Sequence, residues 1–137
     1  MKNILVLCTG NSCRSQMAHG YLREFAADKA IVYSAGIETH GLNKDAVASM
    51  KADNIEISDH TSNHIDEYKS IVFDYVITVC DNARENCPYF PSKAVLFHQN
   101  FSDPSKMEGD GAQKEQNFAR IRNEIKSYCR NFVDNNL

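Results

Sequence analysis

Short runs of consecutive apolar residues alternate along the chain with longer stretches in which apolar residues recur every three or four positions. The short runs are typical of buried strands in a parallel sheet, and the longer stretches are typical of amphipathic helices. The runs predict strands at Lys2–Leu7, Ile31–Tyr33, Tyr75–Val79 and Ala94–Phe97. Breaking residues bound these runs, as Gly36 does after the second strand.

The helical periodicity falls between and after these strands. It predicts helices at Arg14–Asp28, Asn43 or Lys44 to Asp53, Thr61–Lys69 and Lys114–Val133. Strands that alternate with helices imply a parallel sheet covered on both faces. The sequence therefore predicts an α/β fold, with residues 1–137 forming a single domain around a four-stranded parallel sheet with helices on both faces.

Composition and charge narrow the functional class. With 137 residues, 42% hydrophobic and 24% charged, the chain has the size and composition of an ordinary globular domain. Its formal charge of -3 contains no block of like charge that would indicate a nucleic-acid arm or a membrane patch. The apolar runs are strand-sized, and the N-terminus lacks a secretory signal. We expect a cytosolic monomer that binds neither nucleic acid nor membranes.

The segment between the first strand and the first helix carries the strongest chemical signal. A loop that enters a helix directs successive N–H groups inward, and the helix dipole adds positive potential, so the loop can bind an anion. Gly10 and Asn11 are residue types that accept the positive φ of a tight loop. The expected oxyanion-binding residues are Thr9, Gly10, Asn11, Ser12, Cys13, Arg14 and Ser15.

The same loop predicts a reactive thiol at Cys8. Arg14, the helix N-terminus and the Ser15 hydroxyl favour the thiolate, and such surroundings lower a cysteine pKa from about 8.5 to roughly 3.5–7.5. The planar guanidinium of Arg14 also matches two oxygens of a tetrahedral anion. We interpret Cys8 as a nucleophile rather than a buried structural cysteine, whereas Cys13 is more typical of a structural role.

Asp103 follows the last strand and is a candidate general acid. A carboxyl group near the loop could protonate the oxygen that leaves once Cys8 attacks. The alternative is a simple turn, because Asp-Pro often begins one. We favour the acid because the cysteine loop is present in the same chain.

Cys80 and Cys87 form a second candidate pair after the third strand. In a helix their sulfurs would lie on one face but about 10 Å apart along the axis. A disulfide requires Cα atoms within roughly 7 Å of each other. We therefore predict a helical reduced form and a looped oxidised form of residues 80–87. The alternative is that both cysteines are inert core residues.

With these residues in place, the chain resembles the thioredoxin-coupled arsenate reductases, which share the low-molecular-weight protein tyrosine phosphatase fold. The similar segments are Cys8–Ala18, Tyr33–Gly41, Asp59–Ser62, Val76–Cys80, Cys87-Pro88 and Asp103-Pro104. The resemblance implies that Cys8 attacks arsenate, for which phosphate and sulfate are mimics. It further implies that Arg14 and the loop amides hold the oxygens, and that Asp103 protonates the departing one.

The resemblance also implies the redox steps that follow. Cys80 attacks Cys8 and releases arsenite, leaving a transient Cys8–Cys80 disulfide. Cys87 then attacks Cys80, and thioredoxin reduces the Cys80–Cys87 disulfide without any cofactor on this chain. Some members bind a potassium ion near Asn11 and Ser34 with the help of acidic residues. Because the aligned positions here are His19 and Asn63, we expect no metal ion.

Other functions would need only some of the candidate site residues. A low-molecular-weight protein tyrosine phosphatase would use Cys8, Arg14 and Asp103 but not the second pair, because phosphate on Cys8 can only be transferred to water. A phosphocarrier would need neither Asp103 nor that pair. A non-catalytic arsenite- or metal-binding thiol protein is a further alternative, but a guanidinium is electrostatically unfavourable beside a bound metal cation. The histidines show no paired ligand spacing.

The predicted refolding of residues 80–87 can be tested without a substrate. Forming the Cys80–Cys87 disulfide should lower the helical circular dichroism signal and create new protease cleavage sites within this segment. Identical spectra and digests for the reduced and oxidised proteins, with the Cys80–Cys87 bond confirmed by mass spectrometry, would contradict the prediction.

Overall fold

A parallel sheet organises the computed structural model, which describes residues 1–85 and 94–137. The strands are β1 (Lys2–Cys8), β2 (Ala30–Gly36), β3 (Tyr75–Thr78) and β4 (Val95–His98). They lie in the order β2-β1-β3-β4, and every neighbouring pair is parallel. The predicted four-stranded parallel sheet is therefore confirmed.

Helices follow the strands much as the periodicity predicts. They are α1 (Arg14–Ala26), α2 (Lys44–Ala52), α3 (Asp81–Glu85) and α4 (Gly111–Asn136), with 3-10 turns at Ala27–Lys29, Ile65–Tyr68 and Pro104–Lys106. Helix α4 begins three residues earlier than predicted, because Asp110 and Gln113 form a capping box. Within the described ranges, none of the helices combines the length and apolar character needed to cross a bilayer.

Both faces of the sheet are covered, which explains the uninterrupted apolar run in β1. On one face, the Phe132 ring of α4 packs edge-on against Tyr75 of β3 and Phe97 of β4, at centroid distances of 5.4 and 5.0 Å. On the other face, Tyr33 of β2 packs against Phe73 at 5.5 Å. Residues Ile4–Leu7 of β1, between these layers, are fully buried.

The predicted helix at Thr61–Lys69 is wrong. Only Ile65–Tyr68 form a 3-10 turn, which is capped by His64. Asn63 is not helical because its backbone N–H and C=O both form hydrogen bonds with other segments. Its carbonyl accepts from Gly36 N at 2.8 Å, and its N–H donates to Asn11 Oδ1 at 2.8 Å.

The predicted helix after β3 is confirmed as far as the structure describes it. Helix α3 covers Asp81–Glu85, directly after Cys80. Cys87, the second cysteine of the candidate pair, lies outside the described residues.

The packing of Phe132 predicts a large effect on stability. Phe132→Ala should lower the free energy of unfolding by about 3–5 kcal/mol, because it removes a buried ring that contacts two strands. Val72, which is 68% exposed, provides the control, and Val72→Ala should change stability by less than about 0.5 kcal/mol. Urea denaturation measures both changes. Equal urea midpoints for the two variants would contradict the proposed role of Phe132.

Candidate active site

Cys8 lies at the carboxyl end of β1, and the loop that follows leads directly into α1. The N-cap residue of α1 is Cys13, and no side chain caps this end of the helix. The first N–H groups of a helix have no partner within the helix. This N-terminus therefore leaves donors and positive potential available at the loop.

The loop is held from outside through its carbonyl groups. A neighbouring segment, residues 37–43, runs beside it and donates backbone hydrogen bonds to it. These bonds are Ile37 N to Cys8 O at 3.3 Å, and Glu38 N to Thr9 O, His40 N to Gly10 O and Asn43 N to Ser12 O, each at 3.0 Å. Across a trans peptide plane the C=O and N–H point in opposite directions. Binding the carbonyls outside therefore turns the intervening N–H groups towards the concave side.

Two buried polar side chains support the loop from beneath. Asn11 is fully buried with φ of 48°, and its Nδ2 donates to Ser15 Oγ at 2.8 Å. Gln16, also fully buried, donates through Nε2 to Asn11 O at 3.0 Å and to Thr61 O at 2.9 Å. The prediction of a positive φ is therefore confirmed at Asn11.

The same prediction is wrong at Gly10. The glycines with positive φ in the described ranges are Gly41 and Gly109. The His40 ring packs against Gly10 instead, so that a Cβ at this position would require the ring to move. Sequence reasoning identified the correct residue type but the wrong constraint, because His40 approaches only through the tertiary fold.

The segment after β4 brings a carboxylate and a guanidinium together. Arg14 donates through Nη1 to Phe101 O at 2.8 Å, and its Nη2 lies 3.7 Å from Asp103 Oδ2. Asp103 Oδ1 accepts from Ser105 N at 3.0 Å and from Ser105 Oγ at 2.6 Å. Sequence reasoning missed Ser105, although a serine two residues after aspartate is a recognisable turn signal. The structure thus places Asp103 beside Arg14, with Oδ1 fixed by Ser105.

Cys80 lies across the pocket from the loop and contacts it through Thr9. Its sulfur is 3.3 Å from Thr9 Oγ1 and accepts from Ala83 N at 3.4 Å. Asn82 Nδ2 donates to Thr9 Oγ1 at 3.0 Å, which leaves the Thr9 hydroxyl hydrogen able to donate to the Cys80 sulfur. Cys8 lines the same pocket, and the two thiols influence one another's pKa. Two of the three predicted catalytic cysteines therefore meet in one pocket.

These contacts shift the pKa values of the two thiols in opposite directions. The neighbouring Cys8 thiol, with the hydrogen bonds from Thr9 and Ala83, lowers the pKa of Cys80 to about 5. The Cys80 thiol and burial raise the pKa of Cys8 well above its usual range, although Arg14 acts in the opposite direction. These shifts run against the expected lowering of the Cys8 pKa and favour the charge on Cys80, because several donors surround its sulfur.

The pocket has a volume of about 390 Å³, and Cys8, Arg14, Cys80 and Asp103 all line it. The described lining residues are small, polar or charged, and the only ring among them is the His40 imidazole. Such a lining suits a small oxyanion, because a bulky aryl group would have little apolar surface to pack against.

The other two cysteines in the described ranges, Cys13 and Cys129, are buried. Cys13 is 5% exposed, and burial raises the pKa of its thiol, which fits the predicted structural role. Cys129 lies in the core on α4, and burial raises the pKa of its thiol as well.

The residues around Asn11 and Ser34 do not fit a potassium ion. His19 Nδ1 lies 2.9 Å from Ser34 Oγ, and burial lowers the pKa of His19 to about 3, so the ring is neutral. Asn11 Oδ1 is already bound to the backbone N–H of Asn63. A hard cation prefers free oxygen ligands, often carboxylates. Here the two candidate oxygens are engaged, and the aligned positions hold an imidazole and an amide.

Known proteins are similar to this chain over nearly its whole length. The profile of the family described as low molecular weight phosphotyrosine protein phosphatase matches residues 3–137. An arsenate reductase of Halalkalibacterium halodurans is 45% identical, with 97% of this chain and 96% of that protein covered.

Two solved structures show the same fold. One, described as an arsenate reductase in the phosphate binding state, has a TM-score of 0.79 and 28% identity, with 98% of each chain covered. The low molecular weight protein tyrosine phosphatase from T. tengcongensis has a TM-score of 0.81, covering 98% of this chain and 99% of that one. At 22% identity, this second similarity supports the fold alone.

The close approach of backbone at Gly36 predicts a mutation that damages the loop. A Cβ at Gly36 would collide with the carbonyl of Glu38 and would lie 2.7 Å from Thr9 O and 2.8 Å from Asn11 N. Gly36→Ala should therefore displace the loop, weaken phosphate binding by about tenfold or more and cost about 1–3 kcal/mol of stability. Calorimetric titration with phosphate and urea denaturation measure these effects.

Gly111 offers a matched control, because it is the first residue of α4 and a Cβ there would meet open space. Gly111→Ala should bind phosphate as the unchanged chain does. Equal phosphate affinity in the Gly36→Ala and Gly111→Ala proteins would show that the loop does not depend on the contact at Gly36.

Proposed function

Since the chain belongs to the low molecular weight phosphotyrosine protein phosphatase family, we propose that it reduces arsenate to arsenite through a relay of Cys8, Cys80 and Cys87. The observation that carries this proposal is that Cys8 and Cys80 line the same pocket together with Arg14 and Asp103. A hydrolytic phosphatase needs one nucleophilic thiol, whereas reduction of a bound substrate by protein thiols needs a second thiol within reach.

In the first step, Cys8 forms a bond to arsenic. The loop N–H groups and the Arg14 guanidinium bind the arsenate oxygens. As the Cys8 sulfur attacks, its proton passes to the Cys80 thiolate, which lines the same pocket. Asp103 protonates the departing oxygen, which leaves as water. Its Oδ2 is suited to this transfer, because Ser105 already occupies Oδ1.

In the second step, arsenic is reduced. Cys80 releases to solvent the proton that it took from Cys8, and its thiolate attacks the Cys8 sulfur, forming a disulfide and breaking the sulfur–arsenic bond. Arsenic retains the electron pair of that bond, changes from As(V) to As(III), and takes up protons as it leaves as arsenite. The lowered pKa of Cys80 supports this role, because it favours release of that proton at neutral pH.

In the third step, the Cys87 thiolate attacks the Cys80 sulfur and releases Cys8 as a thiolate. The resulting Cys80–Cys87 disulfide is reduced by the two cysteines of thioredoxin. This step rests on the resemblance and on the position of Cys87 in the sequence.

Phosphate-ester hydrolysis is the second candidate, since Cys8, Arg14 and Asp103 would also serve it. The position of Cys80 in the same pocket favours the reductase, because a hydrolytic phosphatase has no use for a second thiol.

An assay of reductant consumption tests the relay. In the presence of arsenate, thioredoxin, thioredoxin reductase and NADPH, the unchanged chain should consume NADPH. Cys8→Ser, Cys80→Ser and Cys87→Ser should each reduce turnover by roughly a thousandfold or more, since each removes a sulfur that must be attacked or must attack.

Cys129→Ala is the matched control, because Cys129 is a buried thiol on α4 that does not line the pocket. It should retain turnover. Arsenate-dependent consumption that survives loss of Cys80 or Cys87 would refute the relay. Hydrolysis of p-nitrophenyl phosphate without arsenate turnover would establish the phosphatase instead.

A further inference from the structure

A histidine outside the oxyanion loop links β3, β4 and α3. The Nδ1 of His98 lies 2.7 Å from Thr78 Oγ1, and its Nε2 lies 2.7 Å from Asp81 Oδ1. An ionised carboxylate can only accept, so Nε2 carries a hydrogen and donates it to Asp81. The Thr78 hydroxyl holds the other side of the ring through Nδ1 and also donates to Phe97 O at 3.4 Å. His98 therefore connects Thr78 of β3 to Asp81 of α3.

The first residue of α3 is attached at a second point. Asp81 N donates to Asn100 Oδ1 at 3.0 Å, and Asn100 belongs to the same segment that follows β4. Cys80 therefore lies between two fixed positions. On its N-terminal side, Val79 N donates to Leu7 O at 3.0 Å, and on its C-terminal side Asp81 is held by His98 and Asn100.

The donors around the Cys80 sulfur depend on this attachment. Ala83 N, which donates to the sulfur, lies in α3. The Thr9 hydroxyl is oriented by Asn82 Nδ2, which also belongs to α3. A displacement of the first turn of α3 would therefore remove or misdirect both donors and separate Cys80 from Cys8.

We propose that His98 and Asp81 form a clamp that positions Cys80 for its attack on Cys8. They are positioning residues, since neither contacts the sulfur or the bound anion in the reaction described above. The proposal deepens the proposed function and rests on it, because positioning Cys80 matters most if Cys80 attacks Cys8. The clamp lies at the start of α3, so the residues that lead towards Cys87 can unwind without first releasing Cys80.

Substitution of Asp81 can change the pKa of Cys80 in two opposite ways, through its charge and through its role in the clamp. The direction of the change therefore distinguishes the two effects. Removing a negative charge near a thiolate would by itself lower the pKa of Cys80. Losing the clamp would raise that pKa, because the hydrogen bonds from Ala83 and Thr9 would weaken. Asp81→Ala removes both the charge and the acceptor, whereas Asp81→Asn removes the charge but keeps Oδ1 as an acceptor.

Thiolate absorbance near 240 nm measures the relevant pKa directly. In a Cys8→Ser background, the step at acid pH belongs to Cys80. We expect His98→Ala and Asp81→Ala to raise the midpoint of that step by about one pH unit or more, a tenfold loss of thiolate stability. Asp81→Asn and His98→Gln, which can restore the acceptor and the donor, should leave the midpoint near or below that of the background protein.

A kinetic measurement accompanies the titration. With Cys8 present, His98→Ala should slow arsenite release in a single turnover by about tenfold, while phosphate affinity remains within about twofold, because His98 does not line the pocket. His98→Gln should restore the rate of arsenite release.

The two proposals fail in different ways. An unchanged or lowered midpoint in both His98→Ala and Asp81→Ala would overturn the clamp, as would a raised midpoint in Asp81→Asn. The clamp would be supported if both alanine variants raised the midpoint and the conservative variants restored it. This conclusion would hold even if the unchanged chain reduced no arsenate. Absence of arsenate reduction would overturn the proposed function alone.

Discussion

The orientation of the peptide groups between Cys8 and Arg14 is the constraint on which the rest of the site depends. Residues 37–43 bind the carbonyls of this loop from outside, and this arrangement leaves its N–H groups facing the pocket. Unpaired backbone donors are costly when buried, so the loop is stabilised by an anion that binds them. Oxyanion affinity is therefore a property of the backbone, and Asn11, Gln16 and Gly36 contribute by holding that backbone in place.

Sheet topology explains how a second thiol reaches the same pocket. Strands β1 and β3 are parallel neighbours, so their carboxyl ends lie side by side. Cys8 is the last residue of β1, and Cys80 lies two residues beyond the end of β3. The neighbouring Cys80 thiol and burial raise the pKa of Cys8 against the effect of Arg14, whereas the pKa of Cys80 is lowered. In this arrangement the two thiols influence one another's charge.

Much of the fold and many of the candidate site residues could be predicted from the sequence, because the relevant signals are local. The apolar run Ile4–Leu7 identified a doubly covered strand, and the spacing from Phe118 to Phe132 identified α4. Cys8, Arg14 and Asp103 were identified because a loop entering a helix has a defined chemistry. Predictions were wrong at Thr61–Lys69 and in the conformation of Gly10, where partners distant in sequence decide the conformation.

The sequence by itself determined the four strands, most of the helices and the position of the loop in which Cys8 is the predicted nucleophile, since these depend on residue type and short spacing. Only the tertiary structure decided the opposite pKa shifts of the two thiols, the neutral state of His19 and the contact between His98 and Asp81. The physical reason is that desolvation and hydrogen bonding act over a few ångströms in space. The groups that meet at those distances, such as Thr9 and Cys80, are far apart along the chain.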